Sequence, residues 1–169
     1  IVIIAGTING GFLEKASAGL TMAETVLKVV GPKRPAMAMS IIGYITSIPV
    51  FCDSGFVILS ALNKSLSKRS GVSMAVMATA LSTGLYATHT LVPPTPGPIA
   101  AANNLHADLG MVILVGLVVA IPVTIAGYLW ATKYASQYEV LAESSVSYEE
   151  LLEKFKSLPS AFAAFTPLI

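Results

Sequence analysis

Residues 36–62 read AMAMSIIGYITSIPVFCDSGFVILSAL. The stretch is longer than the roughly 20 apolar residues that one membrane crossing requires, and its only charged residue is Asp53. Pro49 and Gly55 break its middle. Lys33 and Arg34 precede it, and Lys64, Lys68 and Arg69 follow, so both flanks are positive. Lys and Arg near the ends of a span mark its cytoplasmic side. Two readings follow for residues 36–66. In one, the segment enters the membrane and returns as a re-entrant hairpin with its tip between Pro49 and Gly55. Irregular backbone is tolerated at that depth only inside protein or against a wet cavity. In the other, a single broken, kinked helix crosses.

Further along, residues 71–105 carry no charge, with His89 the only ionisable ring, and they contain THTLVPPTPGP at 88–98. Four prolines and a glycine in the six residues 93–98 cannot form a helix interior. The apolar sequence resumes at Ile99, so a span unwound at 93–98 is expected. The loop 103–110 holds no Lys or Arg and suits the outer face. Residues 109–133 then form an uninterrupted span returning inward, bent at Pro122, with Tyr128 and Trp130 as an interfacial belt beside Lys133. Asp108 is placed to cap its start.

Upstream, residues 12–31 change character. Leu13, Ala16, Leu20, Ala23, Leu27 and Val30 recur at helical spacing, while Glu14, Lys15, Glu24 and Lys28 lie mostly elsewhere. This predicts an amphipathic helix at the membrane surface, with Glu14 a solvated acid at its start, ended by Gly31-Pro32. Residues 134–158 are polar and cytoplasmic, with a capping box at Ser147 and Glu150. The chain opens IVIIAGTINGG, without an initiator Met or a basic leader. It closes on AFAAFTPLI, read as the start of a further span at 159–169. Both ends are expected to continue into a longer protein.

Composition agrees. Of 169 residues, 54% are hydrophobic and 11% charged, with a mean hydropathy of +0.76; a soluble domain carries about a quarter charged residues. A net charge of +1 argues against a nucleic-acid partner. One cysteine, Cys52, excludes a disulfide framework and a CxxC metal site. No nucleophile–base pair, metal cluster or phosphate loop marks an enzyme, and no cofactor is implied. The fold class is all-α: a polytopic transmembrane helical protein with a proline-broken helix.

Interrupted helices at membrane depth are the main sequence pointer to a transporter site. Their N-termini expose N–H donors and a favourable dipole to anions. Neither break holds an Arg or Lys, so a carboxylate would rest on backbone donors and the hydroxyls of Ser54, Thr88, Thr90 and Thr95. A carboxylate in the membrane is expensive and usually functional. Protonation of Asp53 would remove its repulsion of an anionic substrate and couple the two; a helix-capping Asp is the other reading. His89 either donates to substrate and relays protons or is tied to a carbonyl freed by the break. Tyr44 and Tyr86 are candidates to line a cavity.

Two motifs carry a family resemblance. Residues 47–59, SIPVFCDSGFVIL, resemble the Ile-Pro-x-Phe-x-[Glu/Asp]-x-Gly-Phe-Val segment of the gluconate permease family. Residues 88–98 resemble its Thr-His-x-x-x-Pro-Pro-x-Pro-Gly-Pro segment; Ala107-Asp-Leu-Gly and Ala120-Ile-Pro follow in order. The similarity covers roughly residues 11–130. Asp53 stands where Glu is often found, and Cys52-Asp-Ser departs from the better-known gluconate carriers.

The resemblance implies a multi-pass symporter of the bacterial inner membrane that carries gluconate or a related sugar acid with protons, as part of an inverted-repeat transporter of the ion-transporter superfamily. It puts Asp53 at the family's acidic position and His89 before its prolines, and the chemistry of these two residues makes them the candidates for proton coupling. Substrate would be held by Asp53, Ser54 and Gly55 on one side, and by Thr88, His89, Thr90, Thr95, Pro96, Gly97 and Pro98 on the other. Carriers of D-serine, glycerate or a dicarboxylate, sodium coupling, and a non-transporting membrane sensor or scaffold are the alternatives. Its partners are then a small carboxylate, protons and the bilayer; a homo-oligomer is compatible with the sequence.

Overall fold

The computed structural model describes residues 18–31, 34–142, 150 and 153. The expectations for Glu14, for the beginning of the amphipathic helix, for the capping box that starts at Ser147 and for 159–169 lie outside the described residues. Among the described residues there is no strand. Six α-helices follow in order: α1 (Ala18–Val30), α2 (Pro35–Thr46), α3 (Cys52–Ser70), α4 (Met74–Leu91), α5 (Pro96–Asn104) and α6 (Leu109–Lys133), then a short 3-10 turn at Ala135–Gln137.

Helix α4 is the centre, and its composition explains why. It is rich in Ala, Gly, Ser and Thr, which let neighbouring backbones approach closely. A Cβ on Gly84 would lie 2.2 Å from the Ser40 carbonyl oxygen of α2, and one on Gly43 would lie 2.7 Å from that of Leu81. Ser40 Oγ donates to the Ala80 carbonyl at 3.1 Å, and Thr88 Oγ1 to that of Tyr44 at 3.0 Å. Contacts between α2 and α4 thus rise together in number, so the two helices run parallel. Against α3 the order reverses: Gly55 meets Leu85, and Phe51 meets His89. Helix α3 is therefore antiparallel to α4 and to α2. Residues 47–51 are the turn of a helical hairpin whose arms both lean on α4. Gly55, expected at the tip, lies inside the first turn of α3, where its missing side chain admits Leu85.

Helix α6 crosses α4 antiparallel, through Gly116 against the Leu91 carbonyl and Gly127 against Thr83. Pro122 sits inside it and has no N–H to offer a preceding carbonyl. One residue before the carbonyl thus orphaned, the Tyr44 hydroxyl donates to Leu117 O at 2.7 Å and ties α2 to α6. The outward side of α6 is apolar: Leu114, Val118, Ile125 and Leu129 are exposed. Helix and turn together, Leu109–Gln137, are the one segment among the described residues long and apolar enough to cross a membrane. Trp130 and Tyr134 stack at its end, with Lys133 Nζ 5.4 Å from the Tyr134 ring. Asp108 caps its start, Oδ1 accepting from Met111 N at 2.9 Å. Helix α1 buries Ala23, Val26 and Leu27 in the core shared with α2 and α3. The polar tail folds back as well, Met74 N donating to Val140 O at 2.9 Å.

Candidate transport site

The two breaks meet. Residues 47–51 of the hairpin lie against Pro94 and Thr95 of the second break. The second break is shorter than expected. Helix α4 runs to Leu91, residues 92–95 are irregular with a cis Pro93–Pro94 bond, and Pro96 already begins α5. Proline is welcome in a first turn, where the N–H has no partner inside the helix. Pro93 leaves the His89 carbonyl of α4 without its helical donor, and the Val92 carbonyl lies just past the helix end. Thr95 serves both: Oγ1 reaches His89 O at 2.7 Å and Val92 O at 2.9 Å.

This local chemistry revises the anion cradle. Pro96 and Pro98 carry no N–H, so within Pro96–Pro98 only Gly97 has a backbone donor. Helix α3 is better supplied. The N–H groups of Cys52, Asp53 and Ser54 open a 19-residue helix and have no partner within it; that of Gly55 already bonds to Phe51 O at 2.8 Å. Asp53 stands in that first turn, where the dipole favours an acid. Its carboxylate is exposed and borders a cavity of about 320 Å³ with Phe56, Val57, Ser82 and Tyr86. Cys52 Sγ donates weakly to Oδ1 at 3.7 Å. The cavity is of the size that holds small ligands.

His89 lies one turn beyond Tyr86. Its ring meets Phe51 edge-on at 5.9 Å between centroids and Tyr86 at 6.2 Å. Nδ1 is buried without a partner, so the freed carbonyl is not what this nitrogen binds; that carbonyl belongs to Thr95. Thr88 is fully buried and spends its proton on Tyr44 O, with Leu85 O a longer second acceptor. Thr90 bonds to Tyr86 O at 2.8 Å and faces the groove between α4 and α6. Ser54 is half-buried beside Asp53, Pro96 and Gly97 are exposed, and Pro98 is buried. The fold thus gathers Asp53 and His89 around Tyr86, and His89 and Thr95 at the second break; it leaves Thr90 outside and gives Thr88 and Gly55 to packing. Two hydroxyls not singled out from sequence, Thr46 Oγ1 and Ser47 Oγ, are buried there without partners. Adjacent polar residues at the end of an apolar run, just before Ile48-Pro49, are the available signal. Tyr86, a cavity candidate from sequence, does line one.

Two interrupted helices converging on an ionisable residue, beside a helix with an apolar exterior, are the anatomy of a membrane carrier. The chain belongs to the GntP family of permeases, whose model matches residues 1–169. It is 35% identical to a gluconate permease of Zymomonas mobilis over 94% of this chain and 36% of that one. It is 32% identical to the inner membrane permease YgbN of Escherichia coli over 87% of this chain and 34% of the relative. The Gnt-II system L-idonate transporter of Escherichia coli is 30% identical over 97% and 38%. The chain therefore spans about a third of the length of these relatives. No solved structure matches it. The family is one of permeases, and these relatives are named as permeases and transporters, not enzymes.

Proposed function

We propose that the protein is a secondary active symporter importing gluconate or a closely related sugar acid, with protons, across the bacterial inner membrane. The observation that carries this is the meeting of the hairpin tip and the α4–α5 break beside Asp53. Relatives named for gluconate and for L-idonate support a polyhydroxy acid as cargo. The carboxylate of the substrate rests at the start of α3, on the free N–H groups and Ser54. Asp53 shares that position, so the site accepts an anion readily only when Asp53 carries a proton. Proton and anion then move together, and His89 orients the substrate from α4.

The short α2 and the antiparallel α3 support a re-entrant placement in the bilayer. Helix α2 has 12 residues and spans roughly 18 Å, too short for a hydrocarbon core of about 30 Å. With α3 antiparallel to it and cations at Arg34, Lys64, Lys68 and Arg69, the hairpin enters from and returns to the cytoplasmic side, and the chain is polytopic. The test is uptake of labelled gluconate, glycerate and D-serine by the full-length protein in membrane vesicles, with and without an inward proton gradient. Gradient-driven accumulation of gluconate supports the reading. Accumulation driven by sodium alone, or binding without accumulation, refutes it.

A further inference from the structure

Between the hairpin tip and the second break lies a hole of about 10 Å³, lined by Ser47, Pro49, Phe51, Pro94 and Thr95. That is the room of a single water molecule. Ser47 is 1% exposed and its Oγ has no hydrogen-bond partner; such a buried group costs about 1–3 kcal/mol if it stays unpaired. Thr95 is 5% exposed, and its one hydroxyl proton is already directed at the His89 and Val92 carbonyls. A hydroxyl has one proton and two lone pairs. Thr95 therefore offers the hole an acceptor, while Ser47 retains a free donor.

We infer that this hole is a subsite for one hydroxyl group of the carried acid, donating to Thr95 Oγ1 and accepting from Ser47 Oγ. The pairing suits a group that both gives and takes a proton, and a hydroxyl fills the volume of a water. A carboxylate has no proton for Thr95 and is too large; a methylene leaves both partners unpaired. Ser47 is then a specificity residue that separates a polyhydroxy acid from its deoxy analogue. The inference rests on the transport reading above.

The test is counterflow of labelled gluconate by the full-length protein in proteoliposomes, competed by unlabelled gluconate and by each single-deoxy gluconate. A site built to bond a hydroxyl rejects the analogue lacking it by roughly 100-fold or more. One deoxy position is expected to show that penalty in the native protein. Ser47→Ala should cut it to about 10-fold, by weakening gluconate and leaving the deoxy acid unchanged. Ser47→Ala removes no existing bond and relieves a buried unpaired hydroxyl, so its melting temperature should be at or above the native value. A flat deoxy series in the native protein overturns the subsite without any variant. A variant that weakens every analogue equally assigns the hole to a structural water and overturns it too. Loss of a sodium dependence on Ser47→Ala gives the hole to a cation and likewise overturns the subsite. If gluconate exchange is intact but discrimination is untouched, only the subsite fails. If no hydroxy acid exchanges at all, the transport reading fails first and takes the subsite with it.

Discussion

Thr88 Oγ1 donates to the backbone carbonyl of Tyr44 across 3.0 Å, while the hydroxyl of the same Tyr44 donates to Leu117 O at 2.7 Å. One residue near the end of α2 therefore joins the central helix α4 to the proline-bearing helix α6, three residues short of the hairpin turn. The tip is held in register with the break by these bonds and by the close approach of Gly43 and Gly84.

Thr88→Val keeps the shape and removes the donor, leaving the part-buried Tyr44 carbonyl unserved. Such a loss costs about 1–3 kcal/mol. The detergent-solubilised protein should melt several degrees lower, and Thr88→Ser should recover most of the difference. A melting temperature unchanged in Thr88→Val would mean that this bond does not help to position the tip.

Gly84→Ala should be more damaging. The added Cβ would lie 2.2 Å from the Ser40 carbonyl oxygen, and backbone on a packed helix cannot step aside as a side chain does. Overpacking of this kind costs about 3 kcal/mol. Gly97→Ala meets nothing within 4 Å and should change stability by less than about 0.5 kcal/mol. Folded yield and melting temperature of the two variants, compared by size-exclusion chromatography and thermal scanning, check the contrast.

The same contrast marks the limit of what is legible in the sequence. Both interruptions are legible, because Pro49 and Pro93–Pro94 withdraw donors whatever surrounds them. The span at 109–133 is legible from its lack of charge, and the cap at Asp108 from its place before an apolar run. Gly84 is not: in a segment full of Ala, Gly and Ser, nothing local says which small residue faces another backbone. Thr88 and Thr95 look like substrate hydroxyls because a hydroxyl near a break is free in one dimension. In three dimensions the break orphans the His89 and Val92 carbonyls, and Thr95 is the donor they find. Gly55 belongs to an anion cradle by its sequence position, yet its space is filled by Leu85. Asp53 and His89 are singled out by their motifs, whereas the buried, unpartnered hydroxyl of Ser47 shows only in the fold.

The hairpin makes a topological prediction. In a background with Cys52 and any other native cysteine of the full-length protein replaced by Ala, single cysteines at Arg34 and Lys68 stand at the start of α2 and near the end of α3. A membrane-impermeant maleimide should reach both from the cytoplasmic side of inverted vesicles and neither from outside. Labelling from opposite sides would make α2 and α3 a kinked crossing in the native membrane and would refute the re-entrant placement.

Asp53 makes the sharpest functional prediction, and its sign is fixed by charge. The Asp53 carboxylate places a negative charge beside the substrate carboxylate, and Asp53→Asn removes that charge while keeping the shape. Binding of gluconate should therefore tighten in Asp53→Asn. Like charges a few ångströms apart in such a site repel by about 2 kcal/mol, roughly 30-fold in Kd. Asp53→Asn resembles the proton-bound state permanently. It should bind gluconate more tightly than the native protein and exchange labelled for unlabelled substrate. It should also fail to accumulate gluconate under a proton gradient, since no proton is taken up with the anion. Tryptophan quenching or counterflow, paired with gradient-driven uptake, separates the roles. A variant that still accumulates gluconate would make Asp53 a cap for α3 and move the search for the proton site to His89.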